Sequence, residues 1–245
     1  MAHFYIYGGD GEIVENVPVP LDKAAAHHLL RVLRVDRLDE LTLFDGKGVT
    51  AKCRLEVSNR HSAFAIPGVP QMEVAPRRKL HLLQGMAKSA AMEDIVRRAT
   101  ELGVWEIHPL QCERGNGGLG RNDFSRRLCR WRSIAIGACS QSRNPFLPTI
   151  HEPTRLENIP IGANSLRIGA SLGSESMPWK TFADDRRQEW QSGDAYVAVG
   201  PEGDFTASEW HLLRTKGFAE LSLDSGVLRS ETAAVVLLAL AKLAL

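Results

Sequence analysis

The polar residues best placed for chemistry lie in a loop near the carboxyl terminus. Gly200-Pro201-Glu202-Gly203 follows the apolar segment 195–199, and Thr206-x-x-Glu209 has the spacing of a capping box at a helix start. Glycines at the end of a strand let the backbone approach a ligand closely, and a helix start offers free N–H groups. This pattern predicts a ligand loop, with a plain strand-to-helix turn as the alternative.

A second loop, residues 223–229, precedes a helix predicted to begin near Ser230. Arg229 has no place in the apolar pattern, whereas Glu231 falls in the first helical turn, where the helix dipole favours a carboxylate. Arg229 could pair with Glu231 or with the acidic side of the first loop, or it could be a surface charge. Because one strand and one helix separate the two loops, we expect them to lie side by side at one edge of a sheet.

Two further patterns are weaker indications of a site. The run 115–120 fits G-x-G-x-x-G, but a dinucleotide site also needs an acidic residue about 20 positions later, and 135–144 contains none. A basic loop facing RNA is therefore favoured over an oxidoreductase. His108 and Cys112 have a spacing that could begin a metal site, but Pro109 argues against a helix between them, so we predict no metal.

The elements that would position these loops can be predicted from periodicity. Strands flank the turn Asp45-Gly46-Lys47-Gly48, and a helix with Asp22 as its N-cap precedes them. From Lys79 onward the pattern alternates, with strands predicted at 80–84, 104–110, 166–172, 195–200 and 221–223, and helices around 92–102, 123–139, 207–216 and from 230. Such alternation indicates a largely parallel sheet covered by helices, with ligands at the carboxyl ends of its strands. Breaker residues in 66–76 place a domain boundary near residue 74, giving domains 1–74 and 75–245.

Charge is distributed unevenly along the 245 residues, whose formal net charge is +1. The segment 77–143 has 13 basic and 6 acidic side chains, which makes nucleic acid a candidate partner and a solvated helix face the alternative. The four cysteines form no C-x-x-C pair, so reduced structural thiols are expected. The sequence shows no secretory signal pattern, and the apolar run 233–245 is shorter than the about 20 residues a membrane span needs, so we expect a cytoplasmic protein with no membrane partner.

Several motifs, in order along nearly the whole chain, resemble those of the bacterial 16S ribosomal RNA uridine-N3 methyltransferases, the RsmE family of the SPOUT class. Gly200 to Gly203 and the run Leu228-Arg229-Ser230-Glu231-Thr232-Ala233 carry most of the resemblance. The other matching segments are Arg31-Val32-Leu33-Arg34, Leu43-Phe44-Asp45-Gly46, Gln84, Lys88, Met92-Glu93, 99–104 and 140–148.

The resemblance implies an α/β fold in which a small PUA-like β-barrel RNA-binding domain precedes a SPOUT-type parallel sheet with a deep trefoil knot. It also implies a homodimer that binds S-adenosyl-L-methionine in the knot. The residues of this chain that match the cofactor-binding stretches are Ala170, Leu172, Gly200, Pro201, Glu202, Gly203, Leu223, Ser225, Gly226 and Leu228.

The implied reaction is methylation of N3 of a uridine in 16S ribosomal RNA, uridine 1498 in the family, with the assembled small ribosomal subunit as the expected substrate. Arg229 is the candidate for stabilising the uracil anion, and Glu202 or Glu231 could orient it or act as the base. The basic residues assigned to RNA phosphates are Arg31, Arg34, Lys88, Arg114 and Arg143. The alternatives are methylation of another ribosomal or transfer RNA nucleotide and a non-catalytic RNA-binding protein.

Two positions depart from the family pattern. Asp204 stands where the family usually has a second glycine, and Asp224-Ser225-Gly226 stands where it usually has Gly-Pro-Arg. The second loop has therefore lost a proline and an arginine. Contacts from the backbone to adenine should persist, because they depend on the shape of the main chain more than on these side chains.

Overall fold

The computed structural model describes residues 3–21, 25–26, 40–59, 62–115, 121–173, 176–186, 193–223 and 226–245. The chain divides into two compact units. Unit 1 contains residues 1–75 and 136–147, and unit 2 contains residues 76–135 and 148–245.

Unit 1 is built on a β-sheet with a predicted hairpin at its centre. Its described strands are β1 (His3–Tyr7), β2 (Val19–Pro20), β3 (Glu40–Phe44), β4 (Val49–Asn59), β5 (Ser62–Pro67) and β6 (Gln71–Met72), in the order β1-β3-β4-β5-β2 with β6 beside β4. The β3–β4 turn is held by Asp45, whose Oδ1 accepts from the amides of Lys47 at 2.7 Å and Val49 at 2.9 Å. Gly46 and Gly48 have φ values of 79° and 108°, which glycine tolerates best. The predicted hairpin is confirmed.

Unit 1 has buried side chains on both faces of this sheet. Leu41, Leu43, Ala51 and Ala65 pack with Ile13 on one face. Phe44 alternates with them and is fully buried against Tyr5 and Tyr7. The helix predicted after Asp22 falls mostly outside the described residues, which include only 25–26 of it.

The segment 136–147 belongs to unit 1, although the predicted division at residue 74 assigned it to the second domain. It packs on the turn of the β3–β4 hairpin, where the amide of Gly48 donates to the Pro145 carbonyl at 3.2 Å and that of Leu147 to the Gly46 carbonyl at 2.9 Å. These backbone hydrogen bonds join residues about 100 positions apart, so no local pattern could have predicted them.

Unit 2 contains a parallel sheet, as the alternating pattern predicts. The described strands are β7 (Leu80–Gly85), β8 (Glu106–Leu110), β9 (Thr149–Ile150), β10 (Leu166–Ala170), β11 (Met177–Pro178), β12 (Ala195–Val199) and β13 (Ala219–Ser222), in the order β11-β13-β10-β12-β7-β8-β9. All the pairings given for these strands are parallel.

The described helices of unit 2 are α1 (Ser89–Glu101), α3 (Trp179–Arg186), α4 (Ala207–Thr215) and α5 (Ser230–Ala244), together with a 3-10 helix at Leu156–Asn158. A further helix, α2 (Arg121–Ser142), begins in unit 2 and ends in unit 1. Trp210 and Leu213 of α4 pack with Leu83 and Ala198 of the central strands, and α5 contacts β10 and β12. Because β7 and β12 lie inside these layers, every residue of both strands is buried. Within the described ranges, no helix is long and apolar enough to cross a membrane.

The thiols provide a test of this packing. All four cysteines are free, and burial raises the pKa of Cys53 to about 11 and that of Cys139 to about 12. Burial also raises the pKa of Cys112, with a further contribution from Glu209. Cys129 is exposed. We expect iodoacetamide at about pH 8 to modify Cys129 first in the native protein, because the thiolate is the reactive form.

Peptide mass spectrometry over a time course measures this order of modification. The same reaction in denaturant is the control, and there all four cysteines should react at similar rates. Early modification of Cys112 or Cys139 in the native protein would contradict the packing described for these side chains.

Candidate active site

A cavity of about 1130 Å³ lies at the carboxyl ends of β10, β12 and β13 in unit 2. Open parallel sheets bind ligands at this edge, and sites for small molecules typically measure about 300–1,000 Å³. The lining includes most of the residues that the sequence predicts for a site. These are Ala170, Leu172, Gly200, Pro201, Glu202, Leu223, Gly226 and Leu228, together with Lys88, Arg229 and Glu231.

Other predicted residues lie elsewhere. Gly203 is not part of the cavity lining, and its carbonyl accepts from Arg114 Nη1 at 3.2 Å. A Cβ at position 203 would lie 3.1 Å from the Cβ of Arg114, so glycine there makes room for Arg114. Arg143 belongs to unit 1. Arg31, Arg34 and Ser225 are outside the described residues, as is the glycine-rich run after Gly115.

The cavity depends on hydrogen bonds made by the buried side chain of Gln84, the fifth residue of β7. Its Nε2 donates to Ser230 Oγ at 2.9 Å and lies 3.0 Å from the Gly85 carbonyl oxygen. The hydroxyl of Ser230 donates in turn to the Gly200 carbonyl at 2.6 Å. These bonds join the end of β12 to the first residue of α5. Gln84 and Ser230 receive no role in the sequence analysis, although a buried amide in a mostly apolar strand is an available signal.

The 200–204 loop also contacts the end of β7 and the start of α1. A Cβ at Gly85 would lie 2.5 Å from the Cδ of Pro201, so only glycine allows this approach. Glu202 Oε1 accepts from the amide of Lys88, the N-cap residue of α1, at 3.0 Å. A carboxylate at this position satisfies a free N–H group and interacts favourably with the helix dipole.

Asp204 ends this loop in a conformation that favours glycine. Its φ is 59°, and its Oδ1 accepts from the amide of Phe205 at 2.7 Å. Aspartate tolerates the left-handed region better than most residues because its short side chain can form such local hydrogen bonds. Burial raises the pKa of the Asp204 carboxyl. The predicted capping box follows directly and is confirmed, with Thr206 and Glu209 each bonding to the other's backbone amide.

Arg229 lies at the N-cap of α5 with an extended backbone, and its side chain is exposed at the cavity. The structure gives its guanidinium no hydrogen bond or ion pair with any described residue, so of the three alternatives only the unpaired charge agrees with the geometry. The charged side chains that line the cavity are Asp94, Glu202, Asp204 and Glu231 against Lys88 and Arg229. This excess of carboxyl groups favours a ligand with positive charge.

Family models identify the class of protein that this fold and cavity define. Residues 74–242 match the RNA methyltransferase domain, and residues 21–67 match the RNA methyltransferase PUA domain. The protein is therefore an RNA methyltransferase with a PUA domain.

Individual relatives identify the family within this class. The ribosomal RNA small subunit methyltransferase E of Aquifex aeolicus is 31% identical over 84% of this chain and 86% of its own length. The Synechocystis protein of the same name is 29% identical over 93% of this chain and 73% of its own length. The chain belongs to the ribosomal RNA small subunit methyltransferase E family, which confirms the resemblance drawn from its motifs.

Solved structures agree with this assignment. The ribosomal RNA small subunit methyltransferase E of Neisseria gonorrhoeae, solved bound to S-adenosyl methionine, is 28% identical with a TM-score of 0.80 over 97% of this chain and 96% of that chain. A Legionella pneumophila protein, solved in complex with the cofactor SAM, is 28% identical with a TM-score of 0.84 over 100% and 98% of the two chains.

The conformation of Asp204 leads to a prediction about loop stability. Replacement by valine should destabilise unit 2 by about 1–2 kcal/mol, because a β-branched residue at positive φ has no local hydrogen bond to offset the strain. Asp204→Asn is the matched control, since asparagine tolerates this conformation, and Asp204→Gly should also be tolerated. Unfolding in urea measures the effect. A valine variant as stable as the wild type would contradict the backbone conformation described for this loop.

Proposed function

We propose that this protein transfers the methyl group of S-adenosyl-L-methionine to N3 of a uridine in 16S ribosomal RNA, the uridine numbered 1498 in the family. The observation that carries the proposal is the cavity at the carboxyl edge of the sheet, with the unpaired guanidinium of Arg229 beside it. The bound S-adenosyl methionine of the Neisseria gonorrhoeae relative and the names of the curated relatives support it.

The cavity has the chemistry that this cofactor requires. Gly200, Gly226 and Ala170 offer backbone with little side chain in the way, and Leu223 and Leu228 offer apolar surface for an aromatic base. The excess of carboxyl groups suits a ligand with a sulfonium and an ammonium group. When bound, the cofactor supplies an electrophilic methyl group. The residues proposed to hold it are Ala170, Leu172, Gly200, Pro201, Glu202, Leu223, Gly226 and Leu228, with Gly203 and Ser225 proposed from the sequence.

Methylation at N3 requires the protein to accept a proton and to stabilise a negative charge. Uracil N3 carries a proton and is a poor nucleophile until that proton leaves, so the site must stabilise the imide anion. Arg229 is proposed to supply this stabilisation, since its guanidinium is not committed to a described partner. Glu202 already has one oxygen on the Lys88 amide, at 3.0 Å. We therefore assign Glu202 to holding the loop and Glu231 to accepting the proton.

The RNA must bring one uridine out of its stack to reach this cavity, which costs a few kcal/mol. Contacts from basic side chains to phosphates offset this cost. The residues proposed for these contacts are Lys88, Arg114 and Arg143, with Arg31 and Arg34 proposed from the sequence alone. Residues 1–74 would then act as a PUA-like RNA-binding domain and residues 75–245 as the SPOUT catalytic domain.

Three wider features belong to the same proposal. The carboxyl-terminal domain would form a deep trefoil knot, as the resemblance to the SPOUT class implies. Two copies would form a homodimer, supported by the exposed apolar side chains of Leu172 and Val227 next to the cavity. The substrate would be 16S RNA in the assembled small subunit, and the enzyme would then act in the cytoplasm.

Filling the cavity should block cofactor binding. We expect Ala170→Leu to weaken binding of S-adenosyl-L-methionine about tenfold or more, because overpacking a formed site costs about 1–3 kcal/mol. Isothermal titration calorimetry measures the affinity. Ala207→Leu, on the exposed first turn of α4 outside the cavity lining, is the matched control and should bind as the wild type does. Equal affinity in the two variants would place the cofactor elsewhere.

The role of Arg229 is tested by activity. Arg229→Gln should lower the rate of methyl transfer about 100-fold or more while leaving cofactor affinity nearly unchanged, since the loss of one group that stabilises an anion costs about that much. The assay transfers labelled methyl groups to small subunits from cells that lack the enzyme, and mass spectrometry of the digested RNA identifies the product. Arg155→Gln, an exposed arginine outside the cavity, is the control. Wild-type rates in Arg229→Gln would exclude the proposed role.

A further inference from the structure

A second group of polar side chains lies near the amino ends of the central strands of unit 2, away from the carboxyl edge that forms the cavity. His81 is on β7, and Glu106 and His108 are on β8. His81 pairs in register with Glu106, and Leu83 pairs with His108. Because side chains two residues apart share a face of a strand, the three polar side chains lie on the same face of the sheet. His151 directly follows β9, the next strand along.

The side chains converge on one carboxylate oxygen. Glu106 Oε2 is 3.0 Å from His108 Nε2, 3.2 Å from His151 Nε2 and 3.4 Å from His81 Nδ1. The ligand atoms of His81, Glu106 and His108 all lie within 4.8 Å of one another. Ring stacking fixes the imidazoles, with His81 against Tyr196 at 4.5 Å and His108 against His151 at 4.2 Å between ring centroids.

Asp194 determines the tautomer of a neutral His81 side chain, and so which ring nitrogen presents its lone pair to Glu106. Its Oδ1 accepts from the amide of Lys79 at 2.7 Å, and its Oδ2 is 3.3 Å from His81 Nε2. A carboxylate only accepts, so Nε2 carries the proton and a neutral imidazole then presents a lone pair at Nδ1. This buried Nδ1 has no hydrogen-bond partner among the described residues, and it faces a carboxylate oxygen. Two electron-rich atoms in this arrangement are stabilised by a cation between them.

We propose that His81 Nδ1, His108 Nε2 and Glu106 Oε2 bind a divalent transition-metal ion of the Zn²⁺ type, with water in the fourth position. His151 stacks on His108 and is not a ligand. Two histidines and a glutamate form a known zinc ligand set. Bonds of about 2.0–2.2 Å in a tetrahedral site separate neighbouring ligand atoms by about 3.3–3.5 Å. The distances from Glu106 Oε2 to His108 Nε2 and His81 Nδ1, 3.0 and 3.4 Å, are close to this separation. The ligand atoms as a group lie within 4.8 Å of one another, so the imidazoles must move closer together when the ion binds.

Asp194 is a positioning residue in this site. A carboxylate on the second nitrogen of a histidine ligand fixes its orientation and strengthens it as a ligand. The side chains of His81 and His108 are each 7% exposed, whereas those of Glu106 and His151 are 30% and 38% exposed. The ion can therefore enter from the side of Glu106 and His151. Its role is structural, because it joins β7 and β8 away from the cavity.

The test is calorimetric titration of the full-length, chelator-treated protein with ZnCl₂. We expect one ion per chain and a higher unfolding temperature when zinc is bound. Glu106→Gln should weaken binding more than about tenfold and Asp194→Asn about tenfold, since a second-shell change alone typically costs 10–100-fold. His211→Asn removes an exposed histidine of α4 outside the cluster, and this matched control should bind zinc as the wild type does.

The outcomes separate the proposal from its alternatives. Wild-type protein that shows no saturable binding would overturn it and leave a cluster held by hydrogen bonds and protons. Zinc affinity that is lost in His211→Asn but kept in Glu106→Gln would equally overturn it. If Glu106→Gln fails to fold, the titrations of the wild type and of Asp194→Asn still show whether the proposed site binds zinc. Affinity for S-adenosyl-L-methionine, measured on the same samples, should not depend on zinc, so failure of this site leaves the proposed function intact.

Discussion

The arrangement of the cavity depends on one buried amide. Gln84 on β7 donates to the hydroxyl of Ser230, which donates to the carbonyl of Gly200. Each of these bonds contributes only about 1 kcal/mol net, but a buried polar group left without its partner costs about 1–3 kcal/mol. The three segments they join therefore move apart only at a substantial cost. Arg229 is adjacent to Ser230 in the chain, so the same bonds determine where its guanidinium can reach.

Local patterns predicted the elements that hold this site, because apolar periodicity and capping residues act over a few positions. The observed boundaries of an element differ from the predicted ones where the backbone conformation at its end decides where the element stops. A strand was predicted from Val104, but β8 begins at Glu106. Gly103 adopts a φ of 79° and the amide of Val104 bonds back to Ala99, so both residues end α1. The 136–147 segment could not be predicted, because its partners are in a hairpin about 100 residues earlier.

The candidate site also has one part that the sequence predicts and one part that it does not. The spacing of the two glycine loops and the rule for parallel sheets were enough to place Gly200, Leu228 and Arg229 at one cavity. That spacing does not predict which residues of a loop face the cavity. Gly203 lies against Arg114, outside the lining, although it belongs to the same four-residue motif as Gly200. Asp204 shows why the motif tolerates a departure, since the conformation that a glycine would adopt there is available to aspartate through its bond to Phe205.

The two groups of polar residues in unit 2 have different physical origins. At the carboxyl edge, loops leave the sheet and solvent can reach backbone groups, so polar residues there cost little and are free to bind ligands. His81 and His108 instead occupy strands and are buried. Buried polar groups need partners. When a carboxylate is surrounded by imidazoles, all of these groups lose their hydration, and the arrangement is stable only if each lone pair meets a proton or a cation. The lone pair of His81 Nδ1 is the one that the described residues leave unmatched. Replacing buried charged groups by apolar side chains of similar volume is often neutral or stabilising, so a bound ion would give this cluster a role that apolar residues could not fill.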